Sequence, residues 1–214
     1  MTAETAGPAR VGSQLERHRA PVSFHDEQLV LVDAADRIVG HCSKALAHRG
    51  PGTLHRAFSV FLFDADRRLL IHQRSDQKPL WPGFWTNSCC SHPRRGESLG
   101  DAVHRRVREE LGVAAEIQSI YRFEYQAAYA DLGSEHELCH VFLARMHGDS
   151  QVSVHEDEIA AWRWVSLDEV DALHRYKADM LTPWFLMEWR ALRDIYRRDL
   201  DSFLANGDTP RHVA

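Results

Sequence analysis

The chain has 214 residues, 44% of them hydrophobic and 27% charged, with a formal net charge of -5. No apolar run approaches the roughly 18 residues of a membrane span, and the acidic balance excludes the broad basic face that nucleic-acid binding needs. Four cysteines, two of them adjacent at Cys89 and Cys90, do not make the spaced framework of a small disulfide protein, so free thiols are expected. The N-terminus carries no apolar core of a secretion signal, and cytoplasm is the expected compartment.

Residues 1–24 mix Ala, Gly, Pro, Ser and charges without apolar period and predict a mobile tail. One domain is expected over residues 25–207, with a C-terminal tail at 208–214, because a chain of this size can close a single core. Residues 28–33 predict a strand, 34–37 a turn with Asp36, and the following IVGHCSKAL a return strand, together a hairpin. Residues 56–65 and 69–75 are apolar on both alternating sets and predict strands buried on both faces. The stretch ESLGDAVHRRVREELGV places Leu99, Ala102, Val103, Val107 and Leu111 at helical spacing, with Gly112 as the stop. Strands are then expected at 116–126, 138–146 and 161–166, and Ser166 is placed to cap the helix LDEVDALHRY. A last long amphipathic helix is expected from Thr182, its N-cap, through Pro183 to a terminal Gly207. The sum is an α/β sandwich with a mixed β-sheet between α-helices.

Fourteen histidines are more than a core of this size needs, and their placement near carboxylates and Cys90 draws attention to metal chemistry. Taken alone, HRRVREELGV reads as a solvated helix face with ion pairs four residues apart. TNSCCSHP (86–93) reads either as small buried thiols with a satisfied His92, or as a polar site loop placed just before that helix. Glu135 and Glu137 in SEHEL fall on one face of a strand by alternation, with His136 on the other. As a bare pair they are usually two solvated carboxylates.

Read together, these stretches resemble a known family. Glu97-x7-Arg105-x4-Glu110-x-Gly112 approaches the Nudix box, a loop and helix that hold diphosphates through a divalent metal. Ser91 stands where the box begins with Gly, and Arg106 where the hydrolases usually carry a metal-binding Glu, which weighs against water activation and a phosphohydrolase. WPGFWTNSCCSHP, the pair His48 and His55 in AHRGPGTLHRAFS, and SEHEL resemble the type 1 isopentenyl-diphosphate isomerases in chain order, over about residues 29–190.

The resemblance implies a Nudix-like sandwich and interconversion of isopentenyl and dimethylallyl diphosphate by protonation and deprotonation. It implies a metal site of His48, His55, His92, Glu135 and Glu137, a set suited to Mn²⁺, Zn²⁺ or Mg²⁺. It also implies a diphosphate-bound Mg²⁺ on Glu110 and the backbone carbonyl of Cys90. Glu137 and Cys90 would move protons on opposite faces of the substrate, with Tyr125 assisting Glu137 and the Trp184 indole facing the carbocation. A lysine or metal near Cys90 would lower its pKa. Lys44, Arg74, Lys78 and Arg106 match the family's cationic residues. The expected partner is a small isoprenoid diphosphate, with no flavin, nucleic acid or membrane, and a monomer is the expected state.

Overall fold

The computed structural model describes residues 20–147 and 150–206. Most of the tail expected at 1–24, the Gly207 stop and the tail at 208–214 lie outside the described residues.

β1 (Gln28–Val32) and β2 (Ile38–Ser43) form the expected antiparallel hairpin, which leads into a single helical turn, α1 (Lys44–Ala47). β3 (His55–Phe63) is the centre of the molecule. Phe58, Val60 and Leu62 pack to one side, while Ala57, Phe61 and Phe63 pack to the other, as the period of two requires when both faces are covered. β3 pairs antiparallel with β4 (Leu69–Arg74) and β6 (Cys89–Ser91) and parallel with β8 (Gly133–Met146). β5 (Trp85–Thr86) and β9 (Ile159–Val165) extend the sheet from β4, and β7 (Ala115–Tyr129) extends it from β8. The sheet is therefore mixed, with nine strands among the described residues.

α2 (Leu99–Leu111) covers the Phe58 face with Ala102, Val103, Val107 and Leu111. Ser98 Oγ accepts from the Asp101 N–H at its start. Gly112 closes it at φ 69°, where an added Cβ would lie 2.8 Å from the Ser153 carbonyl oxygen. On the opposite face lie α3 (Leu167–Tyr176), α4 (Pro183–Asp194) and α5 (Arg197–Ala205). Ser166 and Glu169 form a capping box on α3. Helices on both faces of a mixed sheet are the architecture that the patterning predicts.

Three expectations are corrected here. The helix expected to run from 182 to 207 is broken at Ile195 and Tyr196: both N–H groups donate to the Ala191 carbonyl, and Tyr196 stacks on Tyr121 at 4.2 Å. The break lets Leu200, Phe203 and Leu204 turn back onto the core beside Leu192. Thr182 stands at the N-cap, but its hydroxyl donates to Thr86 Oγ1 at 2.9 Å instead of capping. Residues 20–24, assigned to the tail, lie against the domain: the Val22 carbonyl accepts from Arg106 Nη1 at 2.6 Å and the Ser23 hydroxyl from Lys44 Nζ at 2.6 Å.

α4 also buries Glu188 completely among Cys139, Ser59 and Cys90, and burial raises its carboxyl to about 8 from an ordinary 4.5. The unfolded chain releases this proton near 4.5 and the folded chain only near 8, so its contribution to stability is intact below the first value and lost as pH rises to the second. Glu188→Gln is expected to stabilise the fold, little at pH 5 and by about 2–4 kcal/mol at pH 8. Urea unfolding at the two pH values checks this, and a difference independent of pH contradicts it.

Candidate active site

The polar end of the central face holds the site, and strand register assembles it. Tyr125, Glu137 and His55 lie side by side on β7, β8 and β3, Tyr125 opposite Glu137 and Glu137 opposite His55. Cross-strand neighbours on one face have Cβ atoms about 5 Å apart, so three distant segments meet without any loop arrangement. Ser59 lies opposite Cys90 in the same way. Because successive residues of β6 face opposite sides, Cys89 enters the core under α2 while Cys90 faces the cavity. The hairpin β7–β8 is longer than expected, reaching Tyr129 and Gly133, so Glu135 and Glu137 lie within the strand and are buried. His136 points the other way, onto Glu124 at 3.1 Å.

His48, His55, His92, Glu135 and Glu137 each offer a ligand atom, and these atoms all lie within 4.8 Å of one another. His48 Nδ1 donates to the Lys44 carbonyl and His55 Nδ1 to the Thr53 carbonyl, each at 2.7 Å. Those bonds fix the tautomer and aim the Nε2 lone pair inward. His48 Nε2 faces Glu135 Oε2 at 2.7 Å, His92 Nε2 faces Glu137 Oε1 at 2.9 Å, and His55 Nε2 faces the same Glu137 oxygen at 3.7 Å. Buried His55 Nε2 and Glu135 Oε2 lack hydrogen-bond donors. Lone pairs converging on one another in a buried space are satisfied by a cation at their centre. The set fits a divalent metal.

The electrostatics agree. Burial, followed by the neighbouring His48, lowers His55 to about 4, and burial with His55 and His48 pushes His92 well below the usual range. Both are neutral imidazoles, the form that ligates metal. Burial works against a charged His48, but Glu135 outweighs it and raises His48. Burial and then Glu135 push Glu137 well above the ordinary carboxyl range. Its Oε2 accepts from the Tyr125 hydroxyl at 2.7 Å.

A cavity of about 480 Å³ opens beside this cluster, and Cys90, Tyr125, Glu135, Glu137 and Trp184 line it together with Lys44, Arg74, Lys78 and Glu158. Residues 21–25 form part of its wall. Trp184 is held edge-on by Trp81 at 5.2 Å and donates Nε1 to Thr86 Oγ1 at 3.0 Å. Thr86 donates to Asn87 Oδ1 at 2.9 Å, and the same oxygen accepts from Cys90 Sγ at 2.9 Å. One buried polar chain therefore fixes both the indole and the thiol. The stretch TNSCCSHP marks where Thr86 and Asn87 lie but not what they hold, and nothing in the pattern marks Ser59, because the role of each small polar residue exists only through its partners in the fold.

Two sequence expectations differ from the geometry. Cys90 is not held below the ordinary thiol range: burial and then Glu188 raise its pKa. Arg106 and Glu110 lie beneath the cavity and not in its wall: Arg106 is ion-paired with Glu110, and a second carboxylate, Glu158, lies 3.3 Å from Arg106 Nη2 and also pairs with Lys78. The sequence reading passes over Glu158 because it stands in an acidic run, HEDE, that looks like a solvated turn. Arg74 lies over the Trp184 ring at 5.2 Å and donates to the carbonyls of Leu80 and Trp81.

Gly133 shows how tightly the backbone supports this centre. It sits at φ 156°, and an added Cβ would lie 2.5 Å from the His48 carbonyl oxygen. Gly133→Ala is expected to cost about 1–3 kcal/mol and to weaken metal binding by displacing His48. Gly100→Ala, where nothing lies within 4 Å, changes neither quantity appreciably. Thermal melting and zinc titration of the two variants check this, and equal metal affinity contradicts it.

A mixed sheet between helices, with buried imidazoles and carboxylates aimed at one point, defines a metal-binding protein of the Nudix type, and the family model described as NUDIX domain matches residues 53–185. A solved structure, DR0079 from Deinococcus radiodurans, shares the fold at TM-score 0.61 and 23% identity, covering 77% of this chain and 98% of that one. Isopentenyl-diphosphate Delta-isomerase 1 from Photorhabdus laumondii is 41% identical over 76% of this chain and 93% of its own length. Isopentenyl-diphosphate Delta-isomerase from Nocardia farcinica is 46% identical over 72% and 87%. The chain belongs to the isopentenyl-diphosphate delta-isomerase family within the Nudix-fold proteins. None of the helices among the described residues is long and apolar enough to cross a membrane.

Proposed function

We propose that this protein interconverts isopentenyl and dimethylallyl diphosphate, acting from a single domain in the cytoplasm. The observation that carries the reading is one cavity shared by a half-buried thiol, Cys90, and a carboxyl, Glu137, that three imidazoles and a tyrosine surround. Names of the relatives support the same substrate pair.

Moving the double bond requires a proton at the terminal carbon and loss of one from C2. In the forward direction Glu137 releases its proton to the terminal carbon, and Cys90, as thiolate, takes the C2 proton. Each turnover thus moves one proton from Glu137 to Cys90 through the substrate; the reverse reaction starts from the protonated thiol, and before another forward turnover solvent returns a proton to Glu137 and takes one from Cys90. An unactivated alkene is a weak base, so the donor must be strong and water kept out. A divalent cation on the three histidines and two glutamates, Mn²⁺, Zn²⁺ or Mg²⁺, would supply that strength by making the Glu137 proton more acidic. Tyr125 Oη holds the second oxygen of Glu137 in place. The Trp184 face gives the intermediate's positive charge an electron-rich but non-nucleophilic neighbour, contributing about 0.5–2 kcal/mol.

Lys44, Lys78 and Arg74 stand at the cavity wall to receive the diphosphate, and Arg106 supports them from beneath. Glu110, with the Cys90 carbonyl, would hold the Mg²⁺ that travels with the diphosphate. Purified protein given isopentenyl diphosphate with Mg²⁺ and Mn²⁺ should form dimethylallyl diphosphate with no release of phosphate. Release of phosphate without the isomer would instead support a Nudix hydrolase, and neither product would remove the reading.

A further inference from the structure

Glu158 has no part in the proton transfers, yet it occupies the most cationic corner of the cavity. Its carboxylate pairs with Lys78 and lies 3.3 Å from Arg106 Nη2. Lys44 also acts on it, and Lys78, Arg106 and Lys44 together outweigh burial and hold it ionised. Lys44, Lys78 and Arg106 therefore already face one anion of the protein's own. The loop keeps it there: Glu158 N–H donates to the His155 carbonyl at 3.0 Å, and the Glu158 carbonyl accepts from Ser75 N–H at 3.0 Å. Glu110 and Glu109 add two further carboxylates at Arg106.

We propose that Glu158 is a specificity-determining residue that makes the cradle accept a metal-complexed diphosphate and reject a metal-free one; this rests on the diphosphate reading of the cavity. Lys44, Arg74 and Lys78 in the wall and Arg106 beneath it, against the carboxylates of Glu158, Glu110 and Glu109, leave the cradle a small positive balance. A free diphosphate brings roughly three negative charges and its divalent complex about one. Each unit of ligand charge meets the Glu158 carboxylate at close range in a partly dry site, where like charges repel strongly. The penalty therefore falls several-fold harder on the free anion. It also falls on Lys78, which must leave Glu158 to meet a phosphate, and a ligand whose charge its own cation already neutralises asks less of that lysine.

The test is calorimetric binding of inorganic pyrophosphate, without added divalent ion and with excess Mg²⁺, to the wild type, Glu158→Gln and Glu158→Asp. Wild type should prefer the magnesium complex. Glu158→Gln should tighten metal-free binding about tenfold or more while changing the magnesium complex less, and Glu158→Asp should restore the wild-type preference. An unchanged preference in Glu158→Gln overturns the proposal. So does a variant that weakens the magnesium complex without tightening the free anion, which would make Glu158 a ligand of the ion. If wild type binds neither form, the diphosphate reading itself fails and takes this proposal with it.

Discussion

Glu137→Gln is expected to lower kcat by about 10³–10⁴-fold while leaving the fold intact, and Cys90→Ala to do the same. The two losses have different origins. Glutamine keeps the shape of Glu137 and can still accept from the Tyr125 hydroxyl, but it has no proton to give. Alanine at Cys90 removes the base and leaves Asn87 Oδ1 without the thiol donor that it holds at 2.9 Å. Substrate binding should survive in both, because Lys44, Lys78 and Arg74 are untouched, so KM changes little while kcat collapses. Steady-state kinetics with circular dichroism as the fold control checks this. Retained turnover in either variant removes that residue from the mechanism.

The second large effect is removal of the metal. Chelation should abolish turnover, and adding back Mn²⁺, Zn²⁺ or Mg²⁺ should restore it. Because the ion binds the folded site and not the unfolded chain, loading at about 100 times Kd should also add about 2.7 kcal/mol to stability. His55→Ala should lose most of that gain, since His55 Nε2 is a buried nitrogen with no other partner. Protons compete for the same imidazoles, so affinity should fall as the medium is acidified. Elemental analysis and melting curves with and without the ion report both effects. A melting point indifferent to metal in the wild type contradicts the site.

Much of this arrangement is legible in the chain, for identifiable reasons. A period of two puts Glu135 and Glu137 on one face whatever the rest of the fold does, and Gly112 and Ser166 mark helix ends through local backbone chemistry. Sequence pattern alone does not bring His55 next to Glu137, because their adjacency depends on parallel pairing between strands some eighty residues apart. It enters the sequence reading through family resemblance, and the register then gives its physical cause. Roles defined only by such pairing stay hidden: those of Ser59, Thr86 and Asn87 behind the cavity, and that of Glu158 in an acidic run with the look of a surface turn. The break at Ile195 is hidden for a similar reason. Apolar spacing continues through it, and the turn shows only in the shared Ala191 carbonyl and in the stacking of Tyr196 on Tyr121.

The central claim is that a thiol and a carboxyl on two walls of one cavity exchange protons with the same five-carbon chain. Proton and deuterium NMR of isopentenyl diphosphate incubated with the enzyme in D₂O tests it most directly. Dimethylallyl diphosphate should form with deuterium at the carbon that was the terminal methylene, isopentenyl diphosphate regenerated by the reverse reaction should carry deuterium at C2, and Cys90→Ala should lose the exchange at C2. Product that forms without deuterium from solvent, or C2 exchange that persists without the thiol, would contradict it.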